Sequence, residues 1–152
     1  MKIVLATNNE DKYAEMSALL SNFPIEILSL EDYPEIGEII EDGSTLEENA
    51  HIKARTVHSL TGHYAWADDT GLEVNALGGQ PGIYSARYAG ENCHYSDNVK
   101  KLLQEMANVP EDFRTAHFKT VISFVGKNME LVSEGTVEGL IATEPKGVGG
   151  FG

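Results

Sequence analysis

The chain changes its hydrophobic period within its first two dozen residues, and that change limits its fold more than any other feature. Ile3-Val4-Leu5-Ala6 is a continuous apolar run, after which Tyr13, Met16, Leu20 and Phe23 recur at three- and four-residue spacing as far as Pro24. A short unbroken run marks a strand buried on both faces, and the wider spacing marks one apolar stripe on a helix. The switch falls across Thr7 to Asp11, so a buried strand, a tight polar turn and an amphipathic helix to about Asn22 are expected. A strand of this kind needs helices on the faces of its sheet, which points to the α/β class.

The rest of the chain extends the pattern. Ile25 to Leu28 reads as a second strand, followed by an acidic connection through Glu31-Asp32-Tyr33-Pro34. Thr45-Leu46-Glu47-Glu48 fits a capping box that starts a helix running to Leu60, with Gly62 as its stop. Tyr64 to Ala67 predicts a buried strand that ends in Asp68-Asp69, and Leu72 to Val74 a short strand beyond an acidic turn. The segment Ala76 to Gly90, with Gly78-Gly79 and Pro81-Gly82, reads as a long loop, ordered or mobile. Ser96 or Asp97 can cap a helix with Val99, Leu102, Leu103 and Met106 on one face. Alternation from Ala116 to Val125, the turn Gly126-Lys127-Asn128 and the strand-rich stretch Met129 to Ile141 predict a long antiparallel hairpin. The expected fold is α/β, a mixed twisted sheet with that hairpin and flanking helices, in one domain over residues 1–152.

Charge and cysteine content narrow the partners. With 24 acidic against 11 basic side chains the formal charge is −13, and the basic residues are scattered. Such a surface repels a polyphosphate backbone, so a nucleic acid polymer is excluded as partner. The apolar runs fall far short of the ~18 residues a membrane helix needs, so no membrane span is expected. The first residues lack the pattern of a secretory signal and Cys93 is the single cysteine, so a reducing cytoplasm is the expected compartment. The five histidines show no zinc spacing, and Cys93 reads as a buried or idle thiol.

Three groups of residues can carry chemistry. In the turn Thr7-Asn8-Asn9-Glu10-Asp11-Lys12, free helix N–H groups, neutral donors and one ammonium outline a phosphate cradle, although Thr and Asn also serve as ordinary caps. Glu41 precedes a helix on which Asn49 and Lys53 share a face, with Glu48 closing the capping box. Asp68-Asp69-Thr70-Gly71 places two carboxylates side by side, which costs energy unless a cation or solvent relieves them. Oxygen ligands of this kind suit Mg²⁺ together with substrate phosphates, and an Asp-rich turn is the plain alternative. Ligands in open α/β sheets sit beyond the carboxyl ends of strands, where both the first and third groups are expected.

The same stretches resemble a known family. Thr7 to Lys12 is similar to its T-G/N-N-x-x-K signature, and Glu41, Gly43 and Thr45 with Glu48-Asn49-Ala50 and Lys53-Ala54 to its E-x-G-x-T-F-x-E-N-A-x-x-K-A segment, with Leu46 in place of Phe. Ala67 to Leu72 resembles A-D-D-S/T-G-L, Leu77 to Tyr88 resembles L-G-G-x-P-G-I-Y-S-A-R-Y, and Gly149-Gly150-Phe151-Gly152 the start of G-G-F-G-Y-D. These are motifs of the inosine/xanthosine triphosphate pyrophosphatases, and the resemblance runs through the whole chain in order. It implies hydrolysis of ITP, dITP and XTP to the monophosphate and pyrophosphate with Mg²⁺. It also implies metal binding at Glu41 and Asp69 and proton acceptance by Asp69. Substrate contacts are implied at Thr7, Asn8, Asn9, Glu10, Asp11, Lys12, Lys53, Thr70, Phe151 and Gly152. A homodimer is implied as well, with the Gly78 to Tyr88 loop as the candidate contact. The family continues past the position of Gly152 into a segment with Lys and Ser-His-Arg that reads the base, so the chain is expected to be C-terminally incomplete relative to it. A nucleotide-binding protein without turnover and a Maf-like nucleotide pyrophosphatase are the alternative readings.

Overall fold

The computed structural model describes residues 1–146, which fall into two compact units: residues 1–69 with 121–134, and residues 70–120 with those from 135 onward. The strands are β1 (Lys2–Leu5), β2 (Glu26–Leu28), β3 (Tyr64–Val74), β4 (Pro81–Gly82), β5 (Thr115–Gly126) and β6 (Met129–Leu140). The longer helices are α1 (Glu10–Leu20), α2 (Leu46–Thr61) and α3 (Tyr95–Glu105). The strand order is β2-β1-β3-β5-β6, with β4 paired to β3, so the sheet is mixed as expected. No helix among the described residues is long and apolar enough to cross a membrane.

In the first unit β1 runs parallel to both neighbours, with Ile3 opposite Ile27 and Tyr64, and Leu5 opposite Trp66. The pleat sends alternate residues to opposite faces. Ile3 and Leu5 pack with Met16 and Leu20 of α1 and with Trp66, while Val4 and Ala6 pack with Ala54 and Val57 of α2 and with Ala65 and Ala67. Each large side chain buried in this way contributes about 1.5–3 kcal/mol. The apolar run at residues 3–6 is therefore a strand covered by a helix on each side. Helix α2 ends where Gly62 takes a left-handed φ of 70° and donates its N–H to the His58 carbonyl, a conformation glycine adopts without a steric penalty. Two residues, Lys127 and Asn128, join β5 to β6, which is possible only for an antiparallel pair.

The second unit is built around Val74, Met106 and Ala116. Arg114 is buried with them and donates to the carbonyls of Ile141 (2.7 Å), Met106 (2.6 Å), Ala142 (3.0 Å) and Val109 (3.3 Å). Along β3 and β5, Thr70 faces Thr120 and Glu73 faces His117, so the residue number falls on one strand as it rises on the other. The two strands are antiparallel.

Three expectations need correction, and the loop from Ala76 to Gly90 proves to be ordered rather than mobile. Asp68 to Gly71 is not a turn: β3 continues through it, and Leu72 to Val74 belongs to the same strand. The stretch Ala76 to Gly90 is partly ordered by β4 and by short 3₁₀ turns at Asn75–Leu77 and Ser85–Arg87, where Ser85 accepts the Leu72 N–H at 2.8 Å and donates to the Gly82 carbonyl at 2.6 Å. The N-cap position of α3 is His94, because Asp97 reaches back to accept the His94 N–H at 2.9 Å from inside the first turn. At α2 Thr45 caps the Glu48 N–H as expected, but Glu48 makes its main bonds one residue before the cap, accepting the Ser44 N–H at 2.7 Å and hydroxyl at 2.6 Å, with the Thr45 N–H a weaker partner. Those bonds hold its carboxyl below the usual range.

Candidate active site

Strand geometry separates the two adjacent aspartates. Tyr64, Trp66 and Asp68 lie on the α1 face of β3, and Ala65, Ala67 and Asp69 on the α2 face, because successive side chains alternate. Each carboxylate then meets a lysine from the helix that covers its own face. Lys12 of α1 holds Asp68 at 2.6 Å, and Lys53 of α2 lies 3.9 Å from Asp69 and 2.9 Å from Glu41. The repulsion expected between neighbouring carboxylates is thus relieved by the pleat and by two separate ammonium groups. Strand β1 reaches only to Leu5, beside Trp66, so both aspartates lie beyond its carboxyl end as the sequence implied, although β3 itself goes on.

Lys53 and Asp69 retain only 12 % and 15 % of their side-chain exposure, which keeps solvent from screening their charges fully. Burial is the largest influence on Asp69 and pushes its carboxyl above the ordinary range. Lys53, the hydrogen bond from Asn49 and, more weakly, Lys12 pull it back down, while Glu41 adds to the rise. Asn49 donates from Nδ2 to Asp69 at 3.2 Å and accepts the Gly43 N–H at 2.9 Å.

The strand-to-helix turn begins beside these groups in the fold of the first unit. Thr7 accepts the Asn9 N–H at 3.2 Å, and Asn9 caps α1 by accepting the Lys12 N–H at 3.1 Å. Asn8, Glu10 and Asp11 are exposed, the last two in the first turn of α1. The turn therefore caps the helix, and it also delivers the Lys12 ammonium to Asp68 of β3. Thr70 follows Asp69 on β3 with its hydroxyl 3.0 Å from that of Thr120. Phe151 and Gly152 lie outside the described residues.

Among the described residues no three His, Cys, Asp or Glu side chains gather as a metal-binding group. Glu41 and Asp69 are two oxygen donors that already converge on one cationic group, the Lys53 ammonium. That donor set fits Mg²⁺, which commonly takes one or two carboxylates and completes its shell with phosphates and water.

The Ham1 family profile matches residues 3–152. The chain belongs to the Ham1 family. It is 48 % identical to the dITP/XTP pyrophosphatase of Thermoanaerobacter pseudethanolicus over all of its own length and 77 % of that protein's, and 45 % identical to that of Geobacter sulfurreducens over 99 % and 76 %. Among solved structures, a HAM1 protein from Coxiella burnetii superposes with a TM-score of 0.91 at 39 % identity, covering all of this chain and 78 % of that one. The chain thus spans about three quarters of the length of the relatives it matches.

Both lysines, Glu41 and Asp69 are legible in the sequence; the partner of Lys12, the hydrogen bond from Asn49 to Asp69 and the approach of Gly43 to Asn49 are not read from it directly. The first was within reach, because alternation from Tyr64 to Asp69 already assigns the two aspartates to different faces. The second depends on how α2 packs on β3 and the third on where the segment before α2 lies, which no period in the sequence encodes.

Proposed function

We infer that this Ham1-family chain hydrolyses non-standard purine nucleoside triphosphates such as dITP, XTP and ITP to the monophosphate and pyrophosphate, which removes deaminated purines from the nucleotide pool. The observation that carries the reading is its 45–48 % identity, along the whole chain, to dITP/XTP pyrophosphatases of several bacteria. The geometry of the first unit supports it, since two ammonium groups and two of their carboxylate partners come from the motifs that the activity requires.

In this reading water attacks the α-phosphorus, the bond to the bridging oxygen breaks, and pyrophosphate leaves with the electron pair. Asp69 accepts the proton of the attacking water. Lys12 and Lys53 exchange their carboxylate contacts for the leaving phosphates, where their charge stabilises the developing negative charge. Glu41 and Asp69 would hold Mg²⁺, which when bound supplies further positive charge and helps position water. By the family motifs, Thr7 to Lys12, Thr70, Phe151 and Gly152 are the residues assigned to substrate contact. The test is pyrophosphate release by the purified chain. With Mg²⁺, dITP and XTP are turned over more than about tenfold faster than dATP, and EDTA stops the reaction. Absence of pyrophosphate from every purine triphosphate would overturn the reading.

The same reading takes the cytoplasm, where the free nucleotide pool resides, as the compartment, and a homodimer as the assembly. Tyr84 and Arg87 in the candidate contact form a cation–π pair at 5.4 Å, and Tyr84 is exposed. Sedimentation at micromolar concentration is expected to give twice the 16.6 kDa chain mass, and a single 16.6 kDa species would count against the dimer.

A further inference from the structure

Asn49 is 2 % exposed, and both ends of its carboxamide are used within the first unit. A buried amide is costly unless its polar atoms find partners, and an alanine or leucine is the better helix former at such a position. The two bonds it makes run to different parts of the chain. One reaches Asp69 on β3, and the other reaches the backbone of Gly43, two residues after Glu41. Gly43 itself is a second, independent sign of this close approach. A Cβ there would stand 2.6 Å from Asn49 Oδ1 and 2.7 Å from Glu48 Cβ, so the segment comes this near to α2 only because residue 43 has no side chain.

We propose that Asn49 is a positioning residue of the active site, tying the segment that carries Glu41, through the Gly43 N–H, to the carboxylate of Asp69. The carboxamide thereby fixes the spacing of the two carboxylates before nucleotide or metal arrives. This rests on the pyrophosphatase reading of Glu41 and Asp69. Lys53 attracts both carboxylates but is a rotatable point charge on a flexible stem, and it sets no direction. A planar amide hydrogen-bonded at both ends does set one. Loss of such an outer partner typically costs ten- to a hundredfold in metal affinity or activity.

The experiment compares Asn49→Ala, Asn49→Asp and His51→Gln with the wild-type 152-residue chain. His51 lies on the same helix, bonded to Ser123 at 2.9 Å, and so controls for general loosening of α2. Three readouts are taken: kcat and KM for dITP, Mn²⁺ affinity of the metal-free chain by electron paramagnetic resonance, and hydrogen exchange of the Gly43 amide by NMR. Asn49→Ala is expected to lower kcat and Mn²⁺ affinity about ten- to a hundredfold, to change KM less than about threefold, and to deprotect the Gly43 amide. Asn49→Asp keeps the shape and the acceptor for Gly43 but sets a carboxylate in place of the donor to Asp69, so it should lower kcat with Gly43 still protected, even if the alanine variant fails to fold. His51→Gln should leave all three readouts near wild type. Wild-type kcat and Mn²⁺ affinity in both Asn49 variants would overturn the proposal, as would equal losses in His51→Gln. Failure of the underlying reading looks different, because wild type itself would then neither bind Mn²⁺ nor release pyrophosphate.

Discussion

Asp69→Asn is expected to cut pyrophosphate release from dITP by about 10²–10⁴-fold while leaving the chain at least as stable as wild type at neutral pH in EDTA. The two effects share one cause. Asp69 is the carboxylate on which Lys53 and Asn49 converge, yet burial raises its carboxyl above the ordinary value of 3.8 in spite of both. A carboxyl raised by folding binds more protons in the folded chain than in the unfolded one. Its contribution to stability is therefore full below the unfolded pKa and is lost as pH rises from 3.8 through the higher folded value. At neutral pH the ionised group opposes folding, and an amide of the same shape removes that penalty. The check is a melting temperature followed against pH in EDTA: wild type should lose more stability than Asp69→Asn as pH rises above 3.8. A variant that retains pyrophosphatase activity, or that melts well below wild type at neutral pH, would contradict this account of the site.

Arg114→Met should cost about 3–5 kcal/mol, a large share of the ~5–15 kcal/mol that holds an ordinary domain together. The guanidinium is buried in the second unit and donates to four backbone carbonyls, two from the residues after α3 and two from the residues after β6. Methionine fills much of the same volume but takes the donor from the Ile141, Val109 and Ala142 carbonyls, whereas the Met106 carbonyl keeps the Val109 N–H at 3.0 Å; each acceptor left unsatisfied in a buried site costs about 1–3 kcal/mol. Arg114→Lys should recover less than half of the loss, because one ammonium cannot reproduce a planar fork that reaches several carbonyls at once. Urea denaturation with an unchanged slope and a lower midpoint is the expected result. A loss under about 1 kcal/mol for methionine would mean that water satisfies the carbonyls in the arginine's place.

Much of the architecture was legible because local patterns agree with the fold. The apolar run at Ile3 to Ala6 and the spaced residues Tyr13, Met16 and Leu20 became β1 and α1, and Thr45 and Gly62 bound α2 on either side. What misled was composition. Asp68-Asp69-Thr70-Gly71 reads as a turn because Asp and Gly are turn residues, yet the strand passes through it once Lys12 and Lys53 stand ready to accept the charges. His94 is an unusual cap and gives no signal as the start of α3, and the carboxylate of Asp97 makes up for that from inside the helix. The segment from Ala76 to Gly90 is rich in glycine but is held by Ser85 and by the pairing of β4 with β3.

The sequence by itself determined the class of fold, the family-like motifs and the identity of the charged groups, because residue type and spacing along the chain carry that information. It could not determine which carboxylate each lysine serves. Lys12 and Asp68 are 56 positions apart, and Asn49 and Asp69 are 20 apart. Their pairing depends on which helix covers which face of β3, and on a segment close enough to α2 that Gly43 must lack a side chain. Those are distances between elements, fixed by packing in three dimensions, and only the tertiary structure decided them.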